Sequence, residues 1–313
     1  MYIAGRQIDN AWRRPEFHLW FLWNLGTFAM WLRNGYQLKK RWDKKDNDMK
    51  RKKKEAAKRR RTGTGTTVIV NIPHASLDIP DEVQFYPDQE ELQDIAKRMS
   101  DLYTDEFLAP NPGIEIVRAP ICRIVVDTER FDDDQKEPAA KYGQGVIYTK
   151  DYQGRDLRPI PTEQEREHLL ATYYRPHHSR LYNLCIDSLK AFDKIIILDL
   201  HSYPSSYNMG SGQGEETPDI CIGYEAPHYS EETLKQLTQI VSSHGFTYGL
   251  NVPFSGSMVP TGVSDLDCVQ SYMIEIKRSL YMDEDTLERN TAGMAKVRSL
   301  LLDIIGALKK AAV

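Results

Sequence analysis

Along residues 67–313, short apolar runs alternate with segments of helical period. Val68–Ile72 (VIVNI) is a β-rich run stopped by Pro73, which predicts a buried strand. Asp88–Phe107 has helical period and is expected to break around Ser100. Ile114–Arg118 and Ile121–Val126 read as strands. Thr162 with Glu165 forms a capping box, so a helix is expected from there to about Phe192, kinked at Pro176. Lys194–Leu200 (KIIILDL) is the most continuous apolar strand, as a strand covered on both faces should be. Ile220–Tyr224 is a further strand, Glu231–His244 a helix, Cys268–Lys277 a strand and Asp285–Lys309 a long closing helix. Strands alternating with helices predict an α/β domain with a mixed, mainly parallel sheet sandwiched by helices.

Charge divides the chain differently. The total is -4, yet residues 1–66 hold 18 Lys+Arg and 6 Asp+Glu, a net of +12 that leaves -16 on the remainder. Residues 1–65 are therefore expected to be a basic extension, helical or disordered, and 66–313 the folded domain. Thr62–Thr67 (TGTGTT) reads as a flexible joint. Within the extension His18–Leu32 is uncharged and apolar but spans only 15 residues, short of the roughly 20 that cross a bilayer. Trp20, Trp23 and Trp31 with flanking basic residues suit a helix lying on an anionic membrane surface through residues 1–61. The plainer readings are a docked amphipathic helix or an extension that does not fold. The run Lys39–Arg61 resembles a nucleic-acid patch, but the acidic main domain argues against nucleic acid as the partner. The expected location is cytoplasmic, with the extension offering a membrane contact. Cys122, Cys185, Cys221 and Cys268 are far apart and in mostly apolar surroundings, which excludes a zinc knuckle or disulfide framework and predicts buried free thiols.

Several polar clusters fall at the carboxyl ends of predicted strands, where open α/β sheets place their reactive groups. Asn71–Ser76 contains His74; Asp127–Arg130 follows the run 121–126; Asp199–Ser202 contains His201; Glu275 stands in a late strand. Two histidines and a carboxylate at neighbouring strand ends suit zinc, which takes nitrogen and oxygen ligands and leaves one position to water. A further carboxylate can relay a proton, and an arginine can hold a substrate carboxylate. Taken singly, each has a plainer reading. His74 is then a capped surface residue, Asp127–Arg130 a loop ion pair, and Glu275 a solvent-facing strand residue.

The segments IPHAS (72–76), DTERF (127–131), LDLHS (198–202) and IEIKRSLY (274–281) occur in the order found in the N-formylglutamate amidohydrolase family, which the chain resembles over roughly residues 66–290. That family resembles the zinc carboxypeptidases in fold. The resemblance implies one zinc ion per chain, held by His74, His201 and a carboxylate. Asp127 is the expected carboxylate and Glu129 its rival. It implies Glu275 as the catalytic glutamate, Arg130 and His178 as substrate-binding groups, and Asp199 and Ser202 as groups orienting the metal histidine. The chain departs from the family at Glu129, where Asn is common, and at Ala75–Ser76, where glycine is. Leu77 replaces the glutamate that follows the first histidine in carboxypeptidases.

The implied activity is zinc-dependent hydrolysis of an N-formyl or N-acyl amino acid such as N-formylglutamate, releasing formate or another carboxylate, with a place in histidine breakdown. The alternatives are a metallopeptidase or cell-wall amidase on the same scaffold, or a degenerate binding module without catalysis. The loop Asn251–Ser257 is expected to close over the substrate.

Overall fold

A computed structural model describes residues 2–3, 6–7, 64–108, 113–206 and 217–311. Backbone packing divides the chain into two units, Met1–Arg59 and Arg60–Val313. In the first, β1 (Tyr2–Ile3) pairs antiparallel with β2 (Arg6–Gln7). The apolar run 18–32 and the basic run 39–61 lie outside the described residues. Among the described residues, no helix is long and apolar enough to cross a membrane.

The second unit is built on a six-stranded sheet. Its strands are β3 (Thr66–Ile72), β4 (Glu115–Arg118), β5 (Lys194–Tyr203), β6 (Ile220–Gly223), β7 (Tyr248–Leu250) and β8 (Val269–Lys277), in the order β4-β3-β5-β8-β6-β7. All neighbouring pairs are parallel except β6 with β8. Every residue of β5 is buried, as its unbroken apolar run requires of a central strand covered on both faces.

Helices cover both faces, as expected. Ile196, Leu198 and Leu200 of β5 pack with Val68, Val70, Ile274, Leu237 of α4 (Glu231–Ser243) and Leu300, Leu301 and Ile304 of α5 (Thr291–Leu308). On the other face Ile69, Ile195, Ile197 and Val269 meet Leu181 and Cys185 of α3 (Arg175–Ser188). A third cluster joins Ile95 and Ala96 of α1 (Gln89–Met99) to Val146–Tyr148, Leu157 and Leu169 of α2 (Glu163–Leu169).

Four local expectations change. Residues 121–126 form turns, not a strand: Val125 and Val126 both donate to the Cys122 carbonyl, and the run is buried in the third cluster without joining the sheet. The expected helix from Thr162 is interrupted by the π-helical turn Leu170–Tyr174, in which the Arg175 N–H reaches the Leu170 carbonyl, just before Pro176. The closing helix starts at Thr291 instead of Asp285, because the Asn290 side chain caps the Gly293 N–H. The short edge strand β7 carries no run that the sequence reading could find. The four cysteines are buried and none forms a disulfide with another.

Candidate active site

The face of the sheet that meets α3 turns polar at the carboxyl ends of its strands. The row Ile195, Ile197 of β5 continues as Asp199 and His201, and the parallel registers set Asn71 beside Asp199 and His201 beside Glu275. Side chains alternate across a strand, so these four residues share one face. All four are buried. Loops complete the group. His74 follows Pro73 off the end of β3, and its carbonyl accepts from the Asp101 N–H at 2.9 Å. Asp101 reaches that point because α1 stops at Ser100, whose extended backbone (ψ 159°) turns the chain back toward His74.

Three atoms face one another at the centre. His74 Nδ1 lies 3.2 Å from His201 Nδ1 and 3.5 Å from Asp101 Oδ2, and His201 Nδ1 lies 3.2 Å from the same oxygen. A tetrahedral ion with bonds near 2.05 Å separates its ligand atoms by about 3.3 Å, so the spacing of this triangle could accommodate one. The far sides of both rings face carboxylates. His74 Nε2 is 2.8 Å from Asp127 Oδ1; His201 Nε2 is 3.1 Å from Glu129 Oε2 and 3.3 Å from Asp199 Oδ1, aligned with neither. The Asp127 carboxylate on His74 Nε2 favours a proton there, and a ring protonated on Nε2 directs its Nδ1 lone pair into the triangle. That is the arrangement in which histidines bind metals.

Glu129, Asp199 and His201 Nε2 form a second close group. It shares His201 through the opposite nitrogen and leaves out His74. The triangle of His74, Asp101 and His201 engages both histidines, whereas the second group flanks the far side of the His201 ring alone. Asn71 Nδ2 donates to Glu129 Oε1 (2.8 Å) and Asp199 Oδ1 (2.9 Å), and the Met258 N–H donates to Asp199 Oδ2 (3.2 Å).

The charge balance suits a cation. Asp101, Asp127, Glu129, Asp199 and Glu275 face Arg123, Arg130 and Arg278, a formal excess of two negative charges when both imidazoles are neutral. Burial opposes charge on the His201 ring, yet Asp199 and Glu129 raise its pKa well above the ordinary value. Burial pushes Glu275 up to about 7 against the pull of His201, and its Oε2 has no hydrogen-bond partner. An unpartnered, buried carboxylate oxygen beside a buried histidine is a group suited to trading protons.

The N-formylglutamate amidohydrolase family profile matches residues 66–282. The chain belongs to that family. The N-formylglutamate amidohydrolase of Ralstonia eutropha JMP134 is 21% identical, with a TM-score of 0.69 over 80% of this chain and 97% of that one. A gene product of Agrobacterium tumefaciens is 19% identical, with a TM-score of 0.54 over 81% and 92%. At these identities the likeness shows the fold. No curated protein sequence matches significantly.

Within this amidohydrolase fold the residues expected from sequence divide. His74 and His201 supply the facing nitrogens, and Glu275 stands beside His201. Asp127 lies behind the His74 ring and outside the triangle. Its Oδ1 accepts from His74 Nε2 and the Glu129 N–H (3.0 Å), and its Oδ2 from Arg123 Nη2 (2.8 Å) and Tyr148 OH (2.7 Å). A carboxylate offers about four lone-pair sites, so none remains for a metal. Burial alone would raise this carboxyl, but His74 and Arg123 hold it well below its usual range. Its rival Glu129 also lies behind a histidine, on His201 Nε2. The carboxylate in the triangle is Asp101.

Ser202 accepts from Arg278 Nε at 3.3 Å on the face away from His201, because neighbours along a strand point to opposite faces. Asp199 Oδ1 lies 3.3 Å from His201 Nε2. Arg130 lies 3.6 Å from Asp127 and 3.7 Å from Glu137, beyond hydrogen-bonding distance, so its guanidinium retains donors. His178 Nε2 lies 2.8 Å from the Thr128 carbonyl, which commits that nitrogen to the 127–130 loop. The adjacent His177 is more deeply buried, with neither ring nitrogen partnered; burial and then His178 push it down to about 3. The Asn251–Ser257 loop is docked on the sheet: Asn251 Oδ1 accepts from the Tyr224 and Gly256 N–H groups, and a Cβ on Gly223 would collide with the Gly256 carbonyl.

Asp101, Arg123, Tyr148 and Arg278 were not found from the sequence. Arg278 stands inside the recognised IEIKRSLY segment, which was the one available signal. Asp101 had none, since it follows a helix end and no strand.

Proposed function

We propose that this chain hydrolyses the amide bond of a small N-formyl or N-acyl amino acid, with N-formylglutamate as the type substrate. One zinc ion would be held by His74 Nδ1, His201 Nδ1 and Asp101 Oδ2. The observation carrying this reading is the triangle of those three atoms with tetrahedral edge lengths, beside an unpartnered buried glutamate. Zinc in such a site supplies Lewis acidity to a carbonyl oxygen and acidity to a water molecule.

The side chains do the remaining work. Glu275 takes a proton from the attacking water and returns it to the departing nitrogen, so that water is split between the acyl carbon and the amine. Asp127, fixed by Arg123 and Tyr148, holds the His74 ring; Asp199 and Glu129 hold the His201 ring. Arg130, with N–H donors uncommitted, receives the carboxylate of the amino-acid product half. His178 fixes the loop that carries Arg130 through the Thr128 carbonyl. Retention of every one of these groups weighs against a degenerate binding module.

The test combines elemental analysis of the purified full chain with steady-state assays on N-formyl and N-acetyl amino acids, short peptides and muramoyl peptides. About one zinc per chain and turnover confined to small N-acyl amino acids support the reading. Zinc with turnover only of peptides or muramoyl peptides replaces the substrate. A folded chain that takes up no zinc overturns the mechanism.

A further inference from the structure

We propose that Arg278 is a positioning residue for the metal centre: it holds Asp101 by one oxygen so that the other faces His74 and His201. The inference rests on the zinc site proposed above and extends it to a residue outside the triangle.

Arg278 follows β8 directly and opens the short turn Arg278–Leu280; it is 7% exposed. Its guanidinium divides among three partners. Nε donates to Ser202 Oγ at 3.3 Å, Nη1 to the Arg98 carbonyl at 2.7 Å, and Nη2 to Asp101 Oδ1 at 3.2 Å. One planar fork therefore spans β5, the C-terminal end of α1 and the candidate ligand. The Arg98 carbonyl is among the last of α1, which have no partner within the helix, so bonding it fixes where that helix ends and where Asp101 begins.

The two oxygens of Asp101 have different partners. Oδ1 faces Arg278, with Arg123 Nη1 at 3.9 Å, while Oδ2 faces both Nδ1 nitrogens. A carboxylate held on one side by nothing rotates and exchanges its oxygens. A guanidinium bonded to Oδ1 and anchored at both remaining nitrogens removes that freedom. Lysine cannot substitute, because a single ammonium on a flexible stem lacks the rigid fork that serves three acceptors at once. Ser202 has its part here: it points away from the face carrying His201 and braces the arginine.

The experiment measures zinc affinity of the full chain by competition with a chromophoric chelator. The proteins are wild type, Arg278→Lys, Ser202→Ala, Asp101→Asn and the Arg278→Lys/Asp101→Asn double variant. Circular dichroism and thermal unfolding of the zinc-free proteins establish that each is folded. Arg278→Lys is expected to weaken zinc binding about 10–100-fold, as loss of a group supporting a ligand does, and Ser202→Ala to weaken it less. Because Arg278 acts through Asp101, adding Arg278→Lys to Asp101→Asn should cost nothing further. The absorption spectrum of the cobalt-loaded Arg278→Lys protein should also change, since the ligand geometry does.

Zinc affinity of Arg278→Lys equal to wild type overturns the proposal. So does an equal loss on the Asp101→Asn background, which makes Arg278 a general clamp. If Arg278→Lys does not fold, Ser202→Ala decides: weakened zinc supports the proposal and unchanged zinc overturns it. A wild type without zinc, or Asp101→Asn binding as tightly as wild type, overturns the underlying site and this inference with it.

Discussion

Asp101 and Asp127 are chemically the same side chain, and what surrounds them gives them opposite tasks. Asp127 spends its lone pairs on His74, Arg123, Tyr148 and a backbone N–H, whereas Asp101 spends one oxygen on Arg278 and turns the other to the histidine pair. Asp101→Asn should therefore weaken zinc binding further than any change at Asp127, measured by chelator competition. Asp127→Asn should keep zinc with affinity weaker by about 10–100-fold, measured by chelator competition; the reverse order would restore Asp127 as the ligand. Glu275→Gln should bind zinc as wild type does and lose about 100–10,000-fold in kcat. Wild-type turnover from that variant would remove Glu275 as the proton carrier. Histidines and carboxylates after apolar runs were legible because strand ends can be read from the sequence. The partner of each oxygen was not, since Asp127 and Tyr148 meet through loops whose course no local pattern dictates.

The elements show where local rules hold and where packing overrides them. β5 reads true because a central strand must be apolar on both faces, and the capping box at Thr162 forms as its spacing requires, with Glu165 reaching back to the Thr162 N–H at 2.7 Å. Residues 121–126 have the composition of a strand, yet burial inside a loop-bounded cluster satisfies the same apolar residues without a sheet partner. Pro176 was expected to kink a helix; it follows directly on the π-helical turn Leu170–Tyr174, where the Arg175 N–H reaches back five residues to the Leu170 carbonyl. At the start of α5, Gly293 packs against the Leu280 carbonyl and Tyr281. Alanine is the better helix former by about 1 kcal/mol, but its methyl would strike that carbonyl. Gly293→Ala should thus destabilise the fold by about 1–3 kcal/mol in urea unfolding; a stabilised variant would show that the contact yields.

For the whole molecule, a metal bound at the proposed site should belong to the fold as well as to the chemistry, since the three facing groups arrive from the end of β3, the end of α1 and β5. An ion that binds only the folded chain stabilises it by about 2.7 kcal/mol at one hundred times its Kd. Chelation should accordingly lower Tm and added zinc restore it; a Tm indifferent to both would count against the site. Residues 62–313 alone should retain zinc content and turnover, and failure of that fragment to fold would place the domain boundary elsewhere. The sequence by itself determined the α/β class and the order of most strands and helices, and it set His74, His201 and Glu275 at or near strand ends. Those follow from local period, strand ends and a motif order that survives along the chain. Only the tertiary structure decided which carboxylate faces the histidines and which braces them. That choice depends on where a helix ends and on which lone pairs other donors have already taken, and both are set by contacts between residues as distant as Asp101 and Arg278.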